Sequence, residues 1–310
     1  MRGWSDGSAG RPVRQAAVAG LFYPASGDAL RAIVDELFTI AARSPDVGAD
    51  TAAARGEPVG ILVPHAGLAY SGVVAAAGWS RLRARPGEPG ELPVTVVLLG
   101  TNHHAGWLDG VAAWEAGSWS TPVGTALVDA SLAAAIVDLG PPFLADRGAH
   151  DGEHSIEVQL PLLLAIEPAA RVVPLAVSTG RGAGAIDAGA RLGALLATRR
   201  AAGARIVLAI STDMAHYPPA AACEQATDLL LPSILALDPA DLARREDELR
   251  HAGIRDLVCG MCGIDPAVLG LAALRAMGAT TGLVLAAATS ADAGGPSERT
   301  VGYLAARFDG

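Results

Sequence analysis

The sequence predicts an α/β protein built as a three-layer α/β/α sandwich around a largely parallel sheet. Three observations carry this reading. The apolar runs VGILV, VTVVLLG and RIVLAIS are continuous rather than alternating, as in strands buried on both faces. Stretches with helical spacing alternate with such runs through most of the chain. Each run also ends in a short polar motif: PHAG at His65, GTNHH at His103 and His104, STDMAH at Asp213 and His216. Open α/β sheets place their chemistry outside the carboxyl ends of the strands, so imidazoles and a carboxylate delivered there predict a metal site.

The elements follow in order. Residues 1–12 lack the apolar stretch of a signal peptide and predict a mobile tail, with one domain over 13–310. Asp28 to Ala42 carries Leu30, Ile33, Val34, Leu37 and Phe38 at helical spacing. Residues 44–58 and 85–93, rich in Pro and Gly, predict loops. VGILV is a strand, residues 73–82 a helix, and VTVVLLG the next strand. Residues 110–119 predict a hairpin or an irregular excursion. A helix is expected at 131–139, and another opening in RGAHDGEHSIE, with Pro161 limiting its regularity. RVVPLAV is a strand, 186–198 a helix, and RIVLAIS a strand. Helices at 220–237 and 239–249 follow, the second announced by Asp238-Pro239. A helix at 266–277 and the strands GLVLAAATS and VGYLAARF close the chain.

Composition narrows the function. Half of the 310 residues are apolar (51%), enough for a substantial core, and the formal net charge is −9. Nucleic-acid binding needs clustered Lys and Arg, and no basic run is present. Three cysteines in so long a chain do not form a disulfide framework. A reducing cytoplasm is the expected compartment. No apolar run is long enough to span a bilayer, so neither membrane nor nucleic acid is an expected partner.

Each candidate residue has a structural alternative. His65 stands before Ala66-Gly67, which would let a ligand approach the backbone, or it caps a turn. His103 and His104 point apart in an extended segment, so only one shares a metal with His65, the other orienting substrate or a ligand. Asp213 and His216 share a face if the chain turns helical. The carboxylate then fixes the imidazole tautomer, or it caps the next helix. Cys259-Gly-Met-Cys262 reads as a redox pair or half a zinc site, whereas Cys223 lies in an Ala-rich helix and suits the core. His154 and Glu157, with Asp151 and Glu153 nearby, line a cleft, orient ligand histidines, or form a solvated helix start.

In combination and in order, AGLFYP (19–24), VPHAGLAYSG (63–72), LGTNHH (99–104), GEHSIEVQLP (152–161), ISTDMAHY (210–217) and Cys259-Gly260 resemble the Memo family, from about Val13 to the C-terminus. That family is similar in fold to class III (LigB-type) extradiol dioxygenases, with a mixed central sheet. The resemblance implies His65, His103 and Cys259 as metal ligands, Asp213 and His216 as pocket residues with His216 an acid/base, and His154 as another pocket position. It further implies partnership with radical-SAM and AMMECR-type proteins, the AmmeMemoRadiSam system. Two departures stand out. Met261-Cys262 replaces an Arg-His pair of the vertebrate pattern, adding a thiol near Cys259, and Thr101-Asn102 replaces Pro-Ser.

Two imidazoles and a thiolate favour iron, copper or zinc over magnesium or calcium. Iron(II) is the expected cofactor, with copper or zinc as alternatives, in a dioxygenase-like oxidoreductase acting on a small molecule. The competing classes are a non-catalytic ligand- or peptide-binding protein and a zinc-dependent hydrolase. His104, Glu157 and Cys262 complete the expected pocket.

Overall fold

The structure is a computed structural model that describes residues 12–43, 57–82 and 92–310. The expected tail and the two expected loops at 44–58 and 85–93 lie almost wholly outside these residues.

Four strands form the parallel centre: β2 (Gly60–Val63), β3 (Thr95–Thr101), β8 (Arg171–Ser178) and β9 (Ile206–Ser211). They lie in the order β8-β3-β9-β2, all pairs parallel. β2, β3 and β9 are buried at every position, which is why their sequences run apolar without alternation. β11 (Gly302–Asp309) pairs antiparallel with β2, and β10 (Thr281–Thr289) pairs with β11 at the sheet edge.

The opposite side is built from shorter strands: β1 (Val13–Arg14), β4 (Gly110–Ala113), β5 (Ser118–Thr121), β6 (Gly124–Val128) and β7 (Phe143–Ala145). β4 and β5 do not pair with each other across 110–119. β5 forms its hairpin with β6, while β4 lies antiparallel to β8 and parallel to β7. β8 thus serves β6 with its first residues and β4 with its last.

Helices cover both faces, giving three layers. α1 (Gly27–Arg43), α2 (Leu68–Trp79) and α4 (Leu160–Ile166) pack together on one side. α5 (Ala183–Ala201), α6 (Ala220–Leu235), α7 (Pro239–His251) and α8 (Ile264–Ala276) pack on the other. α3 (Ala130–Val137) connects β6 to β7 and packs against β7 and β8. α2 starts five residues before its expected position, because Gly67 serves as its N-cap and Gly72 lets it approach Leu37 of α1. Pro161 stands in the first turn of α4, where its missing N–H costs nothing. α5 and α8 meet at their backbones: a Cβ on Gly189 or Gly193 would collide with the carbonyl of Leu269 or Ala273.

Candidate metal centre

Three strand ends and one helix start converge at the carboxyl end of the parallel centre. His65 follows β2, His103 follows β3, Asp213 follows β9, and Cys262 stands just before α8. The ligand atoms of His65, His103 and Cys262 lie within 4.8 Å of one another. They open into a cavity of about 580 Å³ also lined by Phe22, His154, His216, Cys259 and Arg250.

Hydrogen bonds set the state of each ring. The Ser211 hydroxyl donates to the Ser155 carbonyl (2.6 Å) and accepts from Gln159 Nε2 (2.9 Å). Its proton is therefore spent, and Nδ1 of His65, 3.1 Å away, acts as donor to it. That leaves Nε2 as the lone-pair atom, 3.3 Å from Cys262 Sγ. Gln159 is itself oriented, accepting from Trp79 Nε1 and donating to the Pro64 carbonyl, both at 2.8 Å. Burial, and then the neighbouring His103, hold His65 well below the ordinary imidazole range, so the ring is neutral.

His103 is fixed the same way by Glu153. The carboxylate accepts from the His103 backbone N–H (2.7 Å) and faces its Nδ1 (2.9 Å). Glu153 is fully buried, and despite burial its hydrogen bond to His103 draws its pKa below the usual carboxylate range. An imidazole with Nδ1–H on a carboxylate presents Nε2 as the basic atom. His154 stacks on His103 at 4.5 Å between centroids, and burial lowers its pKa to about 4.

The third donor differs from the expectation. Cys259 lines the cavity but lies outside the trio, and Cys262 takes that place. The reason is backbone pairing: the His216 N–H donates to the Cys259 carbonyl (3.0 Å), and the Val258 N–H donates to His216 (3.1 Å). The chain then turns through Gly260 and Met261. The Cys262 N–H reaches the Asp213 carbonyl (3.2 Å), and the Asp213 N–H reaches Cys262 Sγ (3.3 Å). Gly263 is essential to this approach, since a Cβ there would meet the Thr212 and Thr101 hydroxyls. Both thiols are free. Burial raises Cys262 well above the ordinary thiol value and Cys259 to about 12, so Cys262 loses its proton only to a cation.

Asp213 does not cap a helix, and 212–215 is not helical. Its Oδ1 accepts from the backbone N–H of His65 (2.7 Å) and of Ala66 (3.2 Å), tying the end of β9 to that of β2. Burial raises its pKa to about 7. Oδ2 lies 4.0 Å from His216 Nε2. That ring nitrogen is buried without a hydrogen-bond partner, and burial lowers its pKa to about 4.

Two other expected pocket residues lie elsewhere. His104 is exposed, next to the cavity but not lining it. Glu157 is buried in an ion pair with Arg14 and accepts from the N–H groups of Ala17 and Val18 and from the Tyr23 hydroxyl. Its partners are all in the N-terminal segment, so it clamps that segment, and with it Phe22, against the site. Sequence reasoning missed Ser211, Gln159, Arg250 and Glu246. Gln159 falls within the EVQLP motif, whereas Ser211 looks like the tail of an ordinary strand.

Fold and site together define an α/β protein with a histidine–cysteine donor cluster at the ends of its central strands. The chain belongs to the Memo family: the model of the Memo-like protein matches residues 14–307. It is 32% identical to a MEMO1 family protein of Aquifex aeolicus over 96% of this chain and 99% of the relative. It is 33% identical to one of Methanopyrus kandleri (95% and 98%) and 33% identical to one of Pyrobaculum arsenaticum (96% and 99%). No helix among the described residues is long and apolar enough to cross a membrane.

Proposed function

We propose that the chain is a metal-dependent oxidoreductase with a dioxygenase-like centre, holding iron(II), or alternatively copper, on His65, His103 and Cys262; zinc on the same residues would instead suit a hydrolase. The supporting observation is the donor set: two imidazoles whose Nδ1 atoms are already engaged, and a thiol, all aimed into one cavity. Nitrogen and sulfur donors of this kind suit those metals and not magnesium or calcium. A redox-active ion held by these residues would supply the binding of O₂ and of a substrate oxygen.

The chain's own residues supply the rest. Phe22, Val258, Met261, Ile264 and Val301 give the cavity an apolar wall suited to a small organic ring. His216 Nε2, with no partner of its own, takes up a proton from a bound hydroxyl group. Asp213 holds the His65 backbone in place and stands beside His216 to receive charge.

The test is anaerobic iron(II) reconstitution of the wild type, Cys262→Ser and Cys259→Ser, with metal counted after desalting and O₂ uptake followed over a panel of catechols. Occupancy should collapse in Cys262→Ser and persist in Cys259→Ser. The reverse order would remove Cys262 from the ligand set, and an iron-loaded wild type that consumes no O₂ with any catechol would end the dioxygenase reading.

A further inference from the structure

Three donor groups overlap in the cavity. Beside His65/His103/Cys262 stand His103/Glu153/His154 and Asp213/His216/Cys262, each with its ligand atoms within 4.8 Å of one another. Hydrogen-bond accounting separates the last two. Glu153 has partners on both oxygens: Oε1 faces His103 Nδ1 and accepts from the N–H groups of His154 and Ser155, and Oε2 accepts from the His103 N–H. That carboxylate orients His103 and does not line the cavity.

The Asp213 group is different. Both backbone N–H donors go to Oδ1, leaving Oδ2 uncommitted, with His216 Nε2 4.0 Å away, buried and unpartnered. A buried ring nitrogen without a partner calls for a physical explanation. Cys262 Sγ belongs to both this group and the first, and a thiolate has lone pairs enough for two ions. Paired ions that share ligands sit roughly 3.5–4 Å apart in two-metal sites, a separation within the span of these overlapping groups.

We propose that the cluster binds two borderline-soft divalent ions, one on His65 and His103 and the other on Asp213 and His216, with the Cys262 sulfur shared between them. The first position rests on the ligand set proposed above; the second adds residues of its own. In the two-ion form His216 serves as a ligand, and proton handling in the cavity falls to His154, stacked on His103.

Cobalt(II) is the probe, titrated anaerobically into metal-free protein, with equivalents read from the absorption break point and from metal analysis after desalting. The wild type should bind two equivalents, and His65→Ala and His216→Ala one each, with circular dichroism checking that each variant is folded. The wild type also carries a test that needs no variant: two cobalt ions joined through one sulfur couple magnetically, so the spin-resonance intensity per cobalt should fall below that of His216→Ala or His216→Gln. A wild type saturating at one equivalent, two equivalents retained in His216→Ala, or two uncoupled signals would each overturn the shared site. At a wild-type stoichiometry of one, loss of that ion in His65→Ala would leave the single-ion reading intact, and its retention would remove that reading as well.

Discussion

Ser211 determines what His65 can do. Because its proton goes to Ser155, it can only accept from the imidazole, and the tautomer that bares Nε2 is imposed from behind the ring. Removing such a support costs metal sites about 10–100-fold in affinity. Ser211→Ala is therefore expected to keep its metal stoichiometry but bind that much more weakly, measured by competition with a chromogenic chelator. His150 makes a second residue-scale case. It is fully buried, in edge contact with Trp114 and Trp119, its Nδ1 has no partner, and burial lowers its pKa to about 4. The unfolded chain takes up a proton near the ordinary value of about 6.5, so the folded state binds fewer protons between the two values. Stability is full above about 6.5 and is lost as pH falls toward 4, by up to roughly 3 kcal/mol from this group. Urea titrations at pH 7 and pH 4.5 should show that loss, and His150→Asn should reduce it.

At the scale of elements, the N-terminal segment is anchored by the buried Arg14–Glu157 ion pair and by the pairing of β1 with β5. Glu157→Ala leaves Arg14 charged and buried and strips partners from two N–H groups and a hydroxyl. Breaking a buried pair from one side costs about 3–5 kcal/mol, measurable by urea unfolding, with amide exchange accelerating over residues 13–23. α8 is the other element the site depends on, since Cys262 stands at its start. Gly193→Ala drives a methyl into the Ala273 carbonyl, and overpacking of this kind costs about 1–3 kcal/mol. A calorimetric melt unchanged by that substitution would mean α5 moves aside freely. The long elements were legible because burial on both faces writes itself as apolar runs, and α1 announces itself by its spacing. β1 and the strands between β3 and β8 were not: each is two to five residues long and is defined by its neighbours rather than by its own pattern. The site was legible in part for the same reason. His65, His103 and Asp213 end strands visible in the sequence, whereas the choice of Cys262 over Cys259 depends on a single backbone bridge to His216, which no local pattern records.

For the whole molecule, donors drawn from β2, β3, β9 and the start of α8 come together only in the complete fold, so a bound ion stabilises all of it at once. Free metal at about 100 times its dissociation constant adds roughly 3 kcal/mol, which corresponds to about 4–5 °C in a chain of this size. A calorimetric midpoint that rises with one added equivalent and returns with chelator is expected, and an unmoved midpoint would mean the cluster does not grip metal in the native state.

The placement of β11 between β2 and β10 has a consequence for biosynthesis. β2 leaves the ribosome early, yet its neighbour on one side is residues 302–309, made after every other described strand. At translation speeds of about 5–20 residues per second, that interval is on the order of 10–50 s. Throughout it the nascent strand that precedes His65 has an open flank, so β2 acquires its full set of neighbours only after translation has passed residue 309.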